Sequence, residues 1–102
     1  MFSFRKKVEP RKITEAQIEN TVKLYAKVKG FYVRKFVSPS NQSVPDDIFI
    51  SPEGVVFFIE FKAPGKKMTD RQTYECSLIK KNKINTYVID SVVDGKLLID
   101  IY

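Results

Sequence analysis

The stretch from residue 44 to residue 62, VPDDIFISPEGVVFFIEFK, constrains the fold more than any other part of the chain. Two apolar runs, at 48–50 and 55–61, are separated by residues 51–54, S-P-E-G, which have the composition of a turn. Apolar runs rich in β-branched and aromatic residues and joined by a short turn are typical of a β-hairpin. We therefore expect two antiparallel strands here.

The second of these strands carries charges within and at the end of its most apolar run. Because side chains alternate along a strand, Glu60 and Lys62 share one face with Val56 and Phe58. Both faces are apolar, which is typical of a central strand covered on both sides, where unpaired charge is costly. Either Glu60 and Lys62 pair with each other at the strand end, or Asp46, Glu60 and a divalent metal form a site beside Lys62.

Length and composition predict one folded domain, residues 1–102, with a basic arm over residues 1–12. Hydrophobic residues make up 43% of the chain, yet no apolar run approaches the roughly 18 residues of a membrane span. The N-terminus lacks the apolar core of a signal peptide. The single cysteine, Cys76, cannot form an internal disulfide. These features favour a cytoplasmic protein.

The absence of histidine excludes several kinds of active site. A Ser-His-Asp or Cys-His arrangement is impossible, as is a histidine-ligated metal, and one cysteine cannot complete a structural zinc site. Hydrolytic chemistry would have to come from carboxylates, lysine and a hard metal bound through oxygen. With 18 Lys and Arg against 12 Asp and Glu, the net charge of +6 favours nucleic acid over a membrane as the partner.

Hydrophobic periodicity and capping residues predict two helices. The first covers residues 15–29, where Thr14 and Gln17 have the spacing of a capping box and Gly30 ends the helix. The second follows Thr69, with Gln72 at the capping-box position, and runs to residue 81 or 82. Its residues expected to face the sheet are Tyr74, Leu78 and Ile79, with the packing residue Cys76 beside them.

The remaining apolar segments predict further strands. Residues 31–37 and 84–90 form two of them, and residues 97–102 form a last edge strand after a turn at 92–96. The order is then α-β-β-β-α-β-β. The second helix is long enough for a right-handed crossover between parallel strands. The expected fold class is α/β (α+β), a mixed sheet with a helix on each face.

The residues around the hairpin resemble a known nuclease pattern. Pro45-Asp46, followed by Glu60-Phe61-Lys62 at the end of the next strand, is similar to the signature of the PD-(D/E)XK superfamily. KFVSP (35–39), VPD (44–46), FIEFKAPG (58–65) and TDRQ (69–72) resemble its VRR-NUC branch in order and spacing. The resemblance covers about residues 13–90. It implies a restriction-endonuclease-like fold related to the Holliday-junction resolvases.

The resemblance also implies a set of site residues. Asp46, Glu60 and the backbone carbonyl of Phe61 would hold Mg²⁺ or Mn²⁺, and Lys62 would act on the attacking water and the phosphate. Glu19 stands eleven residues before Gly30, which matches the helix glutamate of the resolvases. It would be a further metal ligand.

Alternatives stay open for Glu19 and for Gln72. Glu15 is an alternative to Glu19 as the helix acid, although its spacing fits less well. Either acid could instead be an ordinary charge on the helix surface, with Glu19 paired to Lys23. Gln72 lies where the family places a glutamine near the active site, but its competing role is helix capping.

The chain departs from the family pattern at two positions. Ser43 stands where members of the branch often have glycine, so the loop before VPD is expected to turn less tightly. Asp47 directly follows Asp46, where an apolar residue is common. Asp47 is expected either to cap the strand or to help hold Asp46 or a water molecule.

The resemblance implies a metal-dependent, structure-selective DNA endonuclease, with four-way junctions as the first candidate substrate and a homodimer as the active form. Alternatives are a flap or duplex nuclease, and a non-catalytic nucleic-acid-binding module on the same fold. The basic residues near the site would guide the nucleic-acid backbone, an attraction that weakens with salt. The expected nucleic-acid contacts are Lys35, Ser38, Lys66 and Lys67.

Overall fold

The computed structural model describes residues 12–102, so all but the last residue of the predicted basic arm lies outside the described part. The elements in order are α1 (Glu15–Val28), β1 (Tyr32–Lys35), β2 (Asp47–Ile50), β3 (Val56–Phe61), α2 (Asp70–Lys81), β4 (Asn85–Ile89) and α3 (Val92–Ile101). Both predicted capping boxes are present, at Thr14 with Gln17 and at Thr69 with Gln72. The mixed fold class expected from the sequence is confirmed.

The four strands form one mixed sheet in the order β1-β2-β3-β4. The predicted hairpin is confirmed: β2 and β3 are antiparallel, and Ser51 N–H donates to the carbonyl of Val55 at 2.9 Å across the turn. Gly54 has a φ of +87°, a conformation that favours glycine in such a turn. Strands β3 and β4 are parallel, so α2 is the predicted crossover.

The hydrophobic core lies between the sheet and the pair α1 and α3. The three buried residues of β3 on this face, Phe57, Ile59 and Phe61, pack with apolar residues of both helices. The Phe57 ring stacks on Phe49 and Tyr102, with ring centroids 5.3 and 4.3 Å away. No helix within residues 12–102 is both long enough and apolar enough to cross a membrane.

The opposite face of the sheet is covered less completely. Helix α2 contacts β4 but has no buried residue. The expectation that Tyr74 and Leu78 face the sheet is therefore wrong, since Tyr74 is 62% exposed and Leu78 is 37% exposed. This helix is more polar than α3, and its inward contacts include hydrogen bonds of Gln72. Under this polar cover Glu60 is still buried, with 3% of its surface exposed.

The last element is a helix, which corrects the predicted turn at 92–96 and strand at 97–102. Ser91 caps α3, because its hydroxyl accepts a hydrogen bond from the backbone N–H of Asp94. Gly95, Leu98 and Ile99 are buried and have the spacing of one helix face. The first strand is also shorter than the predicted 31–37. The apolar run at 97–102 is short enough to fit either a strand or a buried helix. Its packing on α1 selects the helix.

Replacing Gly95 with alanine should test the close packing of α3 on α1. Alanine in a helix usually stabilises by about 0.5–1 kcal/mol relative to glycine. A Cβ at Gly95, however, would collide with the methyl groups of Val22 and lie 3.3 Å from Ile89 Cγ2. We expect Gly95→Ala to lower the free energy of unfolding by about 1–3 kcal/mol, measured by urea denaturation.

The double variant Val22→Ala/Gly95→Ala makes room for the added methyl group. Its loss of stability should be smaller than the sum of the two single losses. A Gly95→Ala protein more stable than the wild type would contradict the close approach of the two helices.

Candidate active site

Asp46 and the end of β3 meet at one end of the hairpin. Asp47 of β2 pairs with Ile59 of β3 at the end of the hairpin opposite to the turn. Asp46 and Glu60 are the next residues beyond this pair on the two strands. The backbone N–H of Phe61 donates to Asp46 Oδ2 at 2.7 Å, and the N–H of Phe36 donates to the Asp46 carbonyl at 2.8 Å. Three segments of chain therefore fix the position of Asp46.

Glu60 lies beside Lys62 and Gln72 on the α2 side of the sheet. The Glu60 carboxylate is 3.3 Å from Lys62 Nζ and accepts a hydrogen bond from Gln72 Nε2 at 3.0 Å. Gln72 Oε1 accepts from Lys62 Nζ at 2.8 Å. The same oxygen accepts from the N–H of Thr69, so Gln72 both caps α2 and contacts the site. The helix-capping role of Gln72 is confirmed, and its role in an active site stays a prediction.

The two carboxylates are held where negative charge is costly. Burial and the nearby Asp46 charge raise the pKa of Glu60 to about 7, although Lys62 partly offsets this. Burial also raises the pKa of Asp46, and the charge of Glu19 adds to the effect, while the Phe61 N–H opposes it. Because the ionised forms of both acids are disfavoured here, a bound cation would be stabilising.

A second charged cluster lies on the α1 side of the sheet. Glu19 Oε2 is 3.0 Å from Lys35 Nζ and 3.8 Å from Lys23 Nζ. Asp47 is fully buried, and its Oδ1 is 3.1 Å from Lys23 Nζ. Burial and the adjacent Glu19 raise the pKa of Asp47 to about 7. Burial works against ionisation of Glu19 too, but the adjacent Asp47 carboxyl and the hydrogen bond from Lys35 keep its pKa below the usual range.

Comparisons with known proteins show the family of this chain. No protein-family model matches the chain. Over 81 residues it is 36% identical to "Putative nuclease p44" of Acyrthosiphon pisum secondary endosymbiont phage 1, covering 79% of this chain and 87% of that protein. A solved structure of a VRR_NUC domain has a TM-score of 0.79 and 27% identity, covering 88% of this chain and 99% of that one. The chain belongs to the VRR-NUC family of nuclease domains.

The donor atoms of this VRR-NUC domain suit a hard divalent cation. The carboxylates of Asp46 and Glu60 and the carbonyl of Phe61 are oxygen ligands of the kind that Mg²⁺ and Mn²⁺ prefer. Within residues 12–102, however, no group of three or more acidic or thiol side chains is arranged to hold a metal ion. Glu19 is engaged by Lys35 and Lys23 instead. The carboxylates available for an ion at this end of the hairpin are therefore those of Asp46 and Glu60.

The other predicted site residues surround this end of the sheet. Ser38 lines a cavity of about 200 Å³ that also includes Pro45 and Asp46. Lys66 and Lys67 are exposed in the turn after β3. The charge of Glu15 contributes to the raised pKa of Glu60, as that of Glu19 does for Asp46. The choice between the two helix acids stays a prediction.

Sequence reasoning missed the link between Lys23 and Asp47. Lys23 was expected only as a partner of Glu19, four residues earlier on α1. Asp47 was expected to cap the strand or to help Asp46, but its side chain points to the α1 side of the sheet, opposite to Glu60. Side chains alternate between the two faces along a strand, so Asp46 and Asp47 point to opposite sides of the sheet. This alternation is the signal that could have placed Asp47 on the α1 side.

The raised pKa of Glu60 predicts a pH-dependent stability in the absence of metal. Its folded-state pKa of about 7 lies above the ordinary 4.5, so stability is lost as pH rises through this interval. Glu60→Gln cannot ionise and should escape this loss. We expect the variant to be more stable than the wild type at pH 8, by on the order of 1–3 kcal/mol, with no difference near pH 4.

Urea unfolding in EDTA, repeated from pH 4 to pH 8, measures this difference. Glu53→Gln is the matched control, because Glu53 is exposed in the hairpin turn. Parallel stability profiles for wild type and Glu60→Gln would show that the Glu60 carboxylate carries no such penalty.

Proposed function

We propose that this VRR-NUC domain is an endonuclease that hydrolyses DNA phosphodiester bonds with the help of Mg²⁺ or Mn²⁺. The observation that carries the proposal is the meeting of Asp46, Glu60 and Lys62 at one end of the hairpin. The positive charge of the chain and its family membership support DNA as the substrate.

Each residue of the site has a distinct role in this proposal. Asp46, Glu60 and the Phe61 carbonyl would hold the ion, which when bound polarises the phosphodiester and favours ionisation of water. Lys62 Nζ orients the attacking water and stabilises the charge that develops on the phosphate. Gln72 holds Lys62 and Glu60 in position through one amide group. The family precedent implies products with 5′-phosphate and 3′-hydroxyl ends.

Branched DNA, with a four-way junction as the first candidate, is the proposed substrate, and a homodimer is the proposed active form. A domain of this size covers little DNA alone, whereas a two-fold dimer would present two sites to paired strands. Exposed apolar side chains on α1 and α3 offer surface for such a contact. These side chains are Leu24, Val28, Val93, Leu97 and Ile101.

A non-catalytic DNA-binding module is the second candidate. It is favoured because the acidic side chains already have partners within the protein. Glu60 pairs with Lys62 and accepts a hydrogen bond from Gln72, and Glu19 pairs with Lys35. Such a module would bind DNA with an affinity that falls steeply with salt, but would not cleave it when Mg²⁺ is added.

Replacing Asp46 or Lys62 with alanine tests the enzymatic proposal. Each variant should lose Mg²⁺-dependent cleavage by on the order of 10²-fold or more, because each removes a group that stabilises the transition state. Cleavage of junction, flap and duplex DNA is followed on gels, with circular dichroism to check folding.

Glu53→Ala and Lys80→Ala are matched controls. They remove the same kinds of charge at exposed positions away from Asp46 and Lys62. They should cleave like the wild type. Full cleavage by both site variants would remove the assignment, and a wild type that binds DNA without cutting it would favour the binding module.

A further inference from the structure

A groove lies next to the candidate active site, and its residues have no role in the chemistry proposed above. Its volume is about 410 Å³, within the roughly 300–1,000 Å³ range of pockets that hold small ligands. It lies between the loop that precedes β2 and the first two turns of α2. The residues that line it are Asn41, Ser43, Asp70, Arg71, Tyr74 and Glu75.

The groove is adjacent to the site in two ways. Asn41 lines both this groove and the smaller cavity that includes Asp46, so the two spaces share a wall. On α2, Arg71 directly precedes Gln72, whose side chain contacts Glu60 and Lys62. A DNA strand with a phosphate at Asp46 would therefore bring a neighbouring nucleotide to the groove.

Tyr74 gives the groove an aromatic surface. Its side chain is 62% exposed, and within residues 12–102 no other aromatic ring packs against it. A large aromatic side chain exposed beside a nucleic-acid site is suited to stacking on a base that is not already stacked in a duplex. Paired bases in an intact duplex do not present a free face to such a ring.

The charges of the groove favour a base over a phosphate. One cation, Arg71, lies with two acids, Asp70 and Glu75, so the formal charge of these lining residues is −1. This balance provides no net positive charge to attract a phosphate. A base edge matches it, because carboxylates accept hydrogen bonds from exocyclic amino groups and arginine donates to ring nitrogens and carbonyl oxygens. Asn41 and Ser43 add polar groups on the loop side.

We propose that this groove binds one unpaired nucleobase of the DNA next to the phosphate at Asp46, with Tyr74 as the stacking platform. The inference rests on the proposed function and specifies its substrate: DNA with an unpaired nucleotide beside the cleavage position is bound in preference to a continuous duplex. Flaps, bulges and the centres of imperfect junctions present such nucleotides.

Fluorescence of 2-aminopurine, a base analogue whose emission falls on stacking, tests the proposal with the full chain in EDTA. One probe is a short duplex with a single unpaired 2-aminopurine, and the other has the same base paired with thymine. The wild type should bind the unpaired probe more tightly and quench it. Tyr74→Ala should weaken that binding by about 5- to 150-fold and abolish the quenching, with little change for the paired probe.

Two variants sharpen the result. Tyr74→Phe keeps the ring and should quench like the wild type. Tyr32→Ala removes another exposed tyrosine, 51% exposed on β1 and outside the groove, and should leave binding of the unpaired probe unchanged. The groove assignment is overturned if the wild type shows no preference for the unpaired probe, if Tyr74→Ala weakens both probes equally, or if Tyr32→Ala has the same effect.

Cleavage is measured separately, on wild-type protein with Mg²⁺. Quenching of the unpaired probe without any cleavage would contradict the enzymatic proposal but support the groove assignment. Cleavage that is indifferent to unpaired bases, with no quenching, would sink the groove assignment alone.

Discussion

The hydrogen bond from the Phe61 N–H to the Asp46 carboxylate is the contact on which the site depends. It joins the residue before β2 to the last residue of β3, so the turn at 51–54 and the strand register together decide where Asp46 points. Phe61 is fully buried under α1 and α3, which anchors the donor. The site geometry is thereby tied to the same packing that stabilises the fold.

The sheet separates the charges of this domain into two clusters with different partners. On the α2 side, Glu60, Lys62 and Gln72 form a connected set beneath the polar helix α2. On the α1 side, the buried carboxylate of Asp47 pairs with the partly exposed Lys23, and Glu19 extends this cluster. Removing the Lys23 ammonium would leave the Asp47 carboxylate buried without a countercharge, which is costly. The second cluster therefore constrains how α1 lies on β2, whatever part Glu19 has in the chemistry.

Sequence alone predicted the parts that depend on local rules. The hairpin follows from the turn at 51–54, and both capping boxes follow from their spacing. The parts that failed depend on distant packing. Leu98 and Ile99 form a helix because α1 offers them a surface, and Tyr74 is exposed because α2 packs through polar groups. The link from Lys23 to Asp47 joins residues 24 positions apart, a separation that periodicity cannot report.

A crystal structure with Mn²⁺, located by its anomalous scattering, tests the central claim most directly. The claim is that the ends of β2 and β3 bring two carboxylates to one cation. The account predicts a single strong peak within about 2.5 Å of oxygens from both Asp46 and Glu60, with Gln72 no longer bonded to the ligating Glu60 oxygen. A peak elsewhere, or saturating Mn²⁺ with Glu60 still held by Lys62 and Gln72 and no ion beside Asp46, would contradict it.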